Sequence, residues 1–160
     1  MLRMMMHDRQ TGDQRFKAMM QDFVKTYSGK SATTEDFKAM VEKYMTRDMD
    51  VDGNHKMDWF FNEYVYGTQL PAYKVDASFD PGPDGDMVMS FKVTQSNVND
   101  KFSMLVPLYL ELADGGIVSM GRARITGNSF LEQKVPLKGV KARPRRVIVN
   151  YYDDVLASAN

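Results

Sequence analysis

The sequence predicts an α+β chain in two successive segments, helices over residues 1–70 and an antiparallel β-sandwich over 71–160. Three observations predict it. Apolar residues recur with the helical period in the first part. They alternate with polar residues in the second. The composition also divides near residue 72: ten of the 14 methionines, the only tryptophan and both histidines precede it, whereas five of the six prolines and seven of the 11 glycines follow it. Charge does not divide, with 10 basic and 11 acidic residues before and 11 and 10 after. The halves therefore differ in architecture and not in electrostatic role.

The helical segment holds three to four helices. Its start, MLRMMM, is apolar from the first residue with no capping side chain before it. A helix leaves four N–H groups unpaired at its start and usually caps them. Two readings stand: a chain that begins inside a helix, or a frayed terminus. Phe16, Met19, Met20, Phe23, Val24 and Tyr27 then fall at i, i+3, i+4, i+7, i+8 and i+11, one continuous stripe that Gly29 stops. Thr33 or Thr34 caps the next helix, with Glu35 and Asp36 where carboxylates favour the positive helix end. Phe37, Met40, Val41, Tyr44 and Met45 repeat the spacing. Asp58 is expected to cap a further helix, WFFNEYVY, ended by Gly67.

In the second segment Tyr73, Val75, Ala77 and Phe79 form one apolar face. Met87, Met89, Phe91 and Val93 form the next, and Phe102, Met104, Val106, Leu108, Leu110 and Leu112 a longer one. GIVSMGRARIT, SFLEQKVPL and RRVIVN supply further strands. The turn signals PGPDGD, SNVND, ADGG, TGN and KGVKARP separate them. Short strands joined by such turns, without helical periods between them, predict an immunoglobulin-like antiparallel sandwich of about seven strands. Val155 and Leu156 are expected to close its end.

Composition excludes several functions. The chain has 160 residues, no cysteine and 21 basic against 21 acidic side chains. Disulfide scaffolds, thiol nucleophiles and cysteine-ligated zinc are excluded. Zero net charge argues against a dedicated nucleic-acid binder. No apolar run is long enough to span a membrane, and the start has no small-residue cleavage site of a signal peptide. The compartment stays open between cytoplasmic and extracytoplasmic.

Asp48, Asp50, Asp52 and Gly53 match positions 1, 3, 5 and 6 of an EF-hand calcium loop, but Trp59 stands where the bidentate Glu belongs and His55 at the usual apolar position. The three aspartates are a candidate weak cation site; the alternative is an acidic turn between helices. His7 and His55 belong to no H-E-x-x-H motif and are expected to face solvent. There is no G-x-S-x-G elbow and no Gly-rich phosphate loop. Lys134, Lys138, Lys141, Arg143, Arg145 and Arg146 form a basic run without interleaved aromatics, read as a solvated loop and strand edge. Arg122 and Arg124 share one strand face, expected to point outward. Trp59, Phe60, Phe61, Tyr64 and Tyr66 cover much of a helix circumference, which calls for burial on several sides. Three helices supply only part of that cover, so Trp59, Phe60, Phe61, Met5 and Met6 are candidate interaction residues.

Residues 25–73 resemble the aminopeptidase N family of gluzincin zinc aminopeptidases. The matching residues are Tyr27, Gly29, Lys30, Ala32, Thr33, Thr34, Asp36 and Phe37, then Trp59, Phe60, Phe61, Tyr64, Val65, Tyr66, Gly67, Pro71 and Tyr73. Tyr64 stands where the family often has Trp. MLRMMM is similar to the family's preceding helix. Pro144, Arg146, Val147, Asn150, Val155, Leu156 and Ala157 resemble the end of the sandwich domain that follows there. The family's zinc ligands, its G-x-M-E-N strand and its oxyanion tyrosine all precede the matched region, so none falls on a residue here.

The resemblance implies the end of a thermolysin-like catalytic domain joined to a sandwich domain, with zinc expected in the full-length parent and no cofactor in this chain. It implies a non-catalytic accessory role whose partners are the parent's other domains. The methionine-rich helices are then expected to expose the surface they once packed against and to self-associate. A free-standing sandwich that binds protein or glycan is the alternative.

Overall fold

Helices fill the first part of the molecule and strands the second, as the two periodicities require. A computed structural model describes residues 1–158, and its internal contacts divide the chain into two units, Met1–Thr68 and a second starting at Gln69. The first holds α1 (Leu2–Met6), α2 (Gln14–Tyr27), α3 (Thr34–Tyr44), a single 3-10 turn (Arg47–Met49) and α4 (Asp58–Tyr64).

Thr33 is the cap of α3. Its hydroxyl accepts the Asp36 N–H at 3.1 Å, while the Asp36 carboxylate accepts the Thr33 N–H at 2.9 Å. This reciprocal pair satisfies two otherwise orphaned donors. From there α3 ties the unit together. Asp22 of α2 accepts from Lys43 at 2.7 Å and from the Tyr44 hydroxyl at 3.0 Å. Glu42 accepts the Met57 N–H at 3.0 Å, and Lys38 pairs with Asp58. Asp58 is thus not the expected cap. Met57 takes that position without a side-chain bond, and Asp58 is the first helical residue, its carboxylate spent on Lys38. The helix also ends earlier than expected, at Tyr64. The chain folds back so tightly after it that a Cβ at Gly67 would lie 2.5 Å from the Glu63 carbonyl oxygen.

Methionine supplies much of this unit's interior. Met5, Met6, Met19, Met49 and Met57 are fully enclosed, beside Val41 and Phe61. An unbranched thioether fills irregular gaps that β-branched residues cannot. This corrects the expectation that the methionines mark uncovered surface. The stripe of α2 is helical throughout, but only Met19 on it is buried and Val24 is 62% exposed.

The second unit holds β1 (Ala72–Pro81), β2 (Met87–Ser96), β3 (Ser103–Glu111), β4 (Ile117–Thr126), β5 (Phe130–Leu137) and β6 (Arg146–Val149). They form two three-stranded antiparallel sheets, ordered β1-β2-β5 and β4-β3-β6. Six strands stand among the described residues where about seven were expected. The described residues after β6 form no strand; Val155 is buried, its backbone clasped by the Asn150 amide at 2.8 Å, whereas Leu156 is 53% exposed and closes nothing.

Alternation decides which side chains meet between the sheets. Met87, Met89, Phe91, Val93 and Gln95 of β2 are all buried. Gln95 is the polar member, and its amide is satisfied. It accepts from the Tyr73 hydroxyl at 3.0 Å and donates to the Gly127 carbonyl at 2.9 Å. Gly127 itself has φ +65°, and a Cβ there would lie 2.9 Å from the Asp100 carbonyl oxygen. Only glycine combines that conformation with that approach. No helix among the described residues is long and apolar enough to cross a membrane.

Candidate functional site

The acidic loop closes on itself. Asp50 accepts the His55 N–H at 2.9 Å and sits 3.1 Å from the His55 ring nitrogen. Both its oxygens are thereby engaged, and His55 takes a left-handed φ of +56° to reach them. The arrangement is the acidic turn between helices, and no group of three metal-ligating side chains forms among the described residues. His7 is exposed and meets Asp13 at 2.8 Å. The chain's two histidines therefore bond to separate carboxylates, and the residues present do not fit a zinc site of the gluzincin kind.

The five candidate interaction residues are interior. Met5 and Met6 are fully enclosed, and Trp59, Phe60 and Phe61 are between 1% and 6% exposed. The Trp59 indole N–H donates to the Met49 carbonyl at 3.0 Å. Phe61 meets Phe37, and Phe60 stacks edge-on against Trp59 and Phe61. These rings therefore present little surface in this chain. The basic run is exposed and pairs locally: Arg145 and Arg146 hold Glu111 at 3.2 and 2.7 Å, and Lys141 holds Asp86 at 2.7 Å.

The concave feature of the second unit lies between its sheets. Met89 and Phe91 of β2 and Leu131, Gln133 and Val135 of β5 form one wall. Leu108, Val147 and the β4 residues Met120, Arg122, Ala123 and Arg124 form the other. The cleft encloses about 450 Å³. It lies at the β4 and β5 margins, the matching edges of the two sheets.

Local sequence explains why it is there. The β3–β4 register slips between Leu108 and Tyr109, which pair with Gly121 and Ser119, so Met120 is an extra residue without a partner. Such a bulge bends an edge strand and changes its twist. Beyond it, Gly121 and Ala123 have little side chain to fill the space opposite β5. Leu131 and Val135 consequently stay half-buried, although the alternation of β5 points them inward.

Arg122 and Arg124 pair in register with Pro107 and Leu105. Ala123 and Ile125, on the opposite face of β4, are buried. Register thus puts both arginines on the outer face, as expected, yet from an edge strand they also line the cleft. The sequence reading missed Met120, Leu131, Gln133 and Val135 as site residues. The only local signal was the Gly-x-Ala pair at 121 and 123, and that does not reveal what lies opposite.

Compared with protein-family models, with curated proteins and with solved structures, the chain has no match in any of the three.

Proposed function

We propose that this chain is a non-catalytic region of a zinc aminopeptidase-like protein, an accessory element behind the peptidase active site whose partners are the parent's remaining domains. The observation that carries the reading is where the resembling residues stand. Thr33 and Asp36 make the α3 cap, Trp59, Phe60 and Phe61 are core, and Gly67 sits where the fold-back excludes a side chain. The motif thus consists of scaffold residues and contains no reacting group, which suits a structural role. The incompletely covered α2 stripe supports it further, since a helix of 14 residues normally buries more than one side chain of such a face. An immunoglobulin-like sandwich, in its six-stranded form here, would follow the helical segment as it does in the family.

The test has two parts. Intact-mass analysis of the natural protein should give a chain much longer than 18.3 kDa; a natural chain of that mass would sink the reading. The 160-residue chain itself, supplied with zinc and an aminoacyl anilide, should release no product. EDTA-sensitive turnover would overturn the non-catalytic role. The second reading, a free-standing sandwich that binds protein or glycan, is favoured by the cleft between the sheets.

A further inference from the structure

We infer that β5 is a pairing edge for a second copy of this chain. Two β5 strands would meet antiparallel about a two-fold axis at Gln133 and join the β1-β2-β5 sheets of two molecules into one. The inference concerns the second unit alone and does not rest on the peptidase reading.

The first argument is which backbone groups β5 leaves open. β5 stands at the end of its sheet, beside β2 only. The Gln95 N–H donates to the Ser129 carbonyl at 2.8 Å, and the pairing runs without a slip from Thr94 and Phe130 to Met87 and Leu137. In an antiparallel ladder successive residues turn their N–H and C=O groups to opposite sides. Leu131, Gln133 and Val135 therefore bond toward β2, while Glu132 and Lys134 direct their backbone groups outward. Such an open row is a template for another strand. The other edges suit pairing less. β4 is bulged at Met120, and β6 has four residues. On β1, Lys74 and Asp76 pair with each other at 3.2 Å, and just before that strand the Ser158 N–H holds the Pro71 carbonyl at 2.9 Å.

The second argument is self-complementarity. About Gln133, residues 131–135 set an aliphatic side chain against an aliphatic one and an acid against a base. In the two-fold pair Glu132 faces Lys134 of the second copy, and Leu131 faces its Val135. Opposite charges and apolar pairs directly across strands are stabilising, and like charges there are destabilising. The neighbouring registers that keep the same faces aligned centre on Glu132 or on Lys134 and set like charges opposite each other. The charges thus select one register. Pro136, without an N–H, ends the bonding row.

The third argument is availability. Glu132 and Lys134 are both exposed, and neither forms an ion pair among the described residues. Lys92, opposite Glu132 in the β2 register, lies instead over the Phe130 ring, 3.9 Å from its centroid. Leu131 and Val135 are half-buried at the margin of the cleft, so the same side chains of a second copy would add apolar cover.

Sedimentation equilibrium of the whole chain tests the pairing, with amide hydrogen exchange to locate it. The Val24→Ser background removes the exposed apolar side chain of α2 from the measurement. Mass should rise with concentration to twice the 18.3 kDa of the chain and level there. The Glu132 and Lys134 amides should become protected over the same range. Glu132→Lys and Lys134→Glu should each weaken the dimer by about tenfold or more, because favourable cross-strand charge pairs become unfavourable ones. The double variant Glu132→Lys/Lys134→Glu should restore it, and an equimolar mixture of the two single variants should dimerise better than either alone. Both side chains are exposed, so the variants should fold; if one does not, amide protection in the unaltered strand decides alone. A mass that stays monomeric, protection that spares residues 132 and 134, or single and double variants of equal dimer strength would each overturn the assignment. Association that Val24→Ser alone abolishes would also overturn it, and would leave the α2 contact and the accessory reading standing.

Discussion

Gln95 shows what one buried polar residue demands. Its amide serves the Tyr73 hydroxyl and the Gly127 carbonyl, and all three stand where water does not reach freely. Gln95→Ala should lower unfolding free energy by about 1–3 kcal/mol for each partner left unsatisfied, measured by denaturant unfolding. Adding Tyr73→Phe should then cost less than it does alone, because the bond between the two side chains is already lost. At the exposed carboxylates the effect is one of pH. Thr33 N–H, then its hydroxyl and that of Tyr27, hold Asp36 below its ordinary value of 3.8. His7 and Arg3 lower Asp13, and Arg146 and Arg145 lower Glu111. A carboxylate with a lowered folded pKa stabilises the fold above its unfolded pKa, and that stability is lost as pH falls through the folded one. The melting temperature should therefore stay level from neutrality to about pH 5 and fall progressively below about pH 4. Asp36→Asn should make that acid limb shallower; an unchanged limb would remove the capping box from the explanation.

At the scale of elements, α4 is the most consequential. Seven residues are too few to form a stable helix alone, so packing must hold it. Its rings interlock with each other and with Phe37 of α3. Phe61→Ala should destabilise the helical unit by about 3–5 kcal/mol, the usual cost of removing a fully enclosed aromatic ring. Thermal unfolding followed by helical circular dichroism measures it, and a loss under about 1 kcal/mol would contradict the enclosure. β4 is the converse case, an element whose irregularity matters more than its packing. One extra residue at Met120 separates an ordinary sheet edge from an open cleft.

For the whole molecule, the consequence of an incompletely covered α2 is association. Val24 is 62% exposed on the same stripe that buries Met19. An apolar stripe left partly uncovered favours contact between copies. Light scattering should show mass rising with concentration across the micromolar range, and Val24→Ser should reduce the rise without lowering stability by more than about 0.5 kcal/mol. A well-behaved monomer over that range would count against the accessory reading. Much of the fold was legible beforehand because each local signal had one cheap solution. Thr33 had to cap, and the alternation of β2 had to bury its odd-numbered residues. Asp58 misled because a carboxylate at a helix start suits the first turn as well as the cap, and Lys38, twenty residues away in sequence, chose between them. The candidate site was hardly legible, since its walls come from five strands.

By itself the sequence determined the two periodicities, the stops between elements and the absence of thiol and H-E-x-x-H chemistry. These depend on neighbours within a few residues or on composition, and the chain carries both on its face. Only the tertiary structure decided that most of the methionines are core, that Asp50 of the acidic loop closes a turn on His55, and that two outward arginines border an apolar cleft. Those outcomes depend on which distant side chains share a space. Periodicity says which face of an element is buried, but not how completely the opposite element fills it.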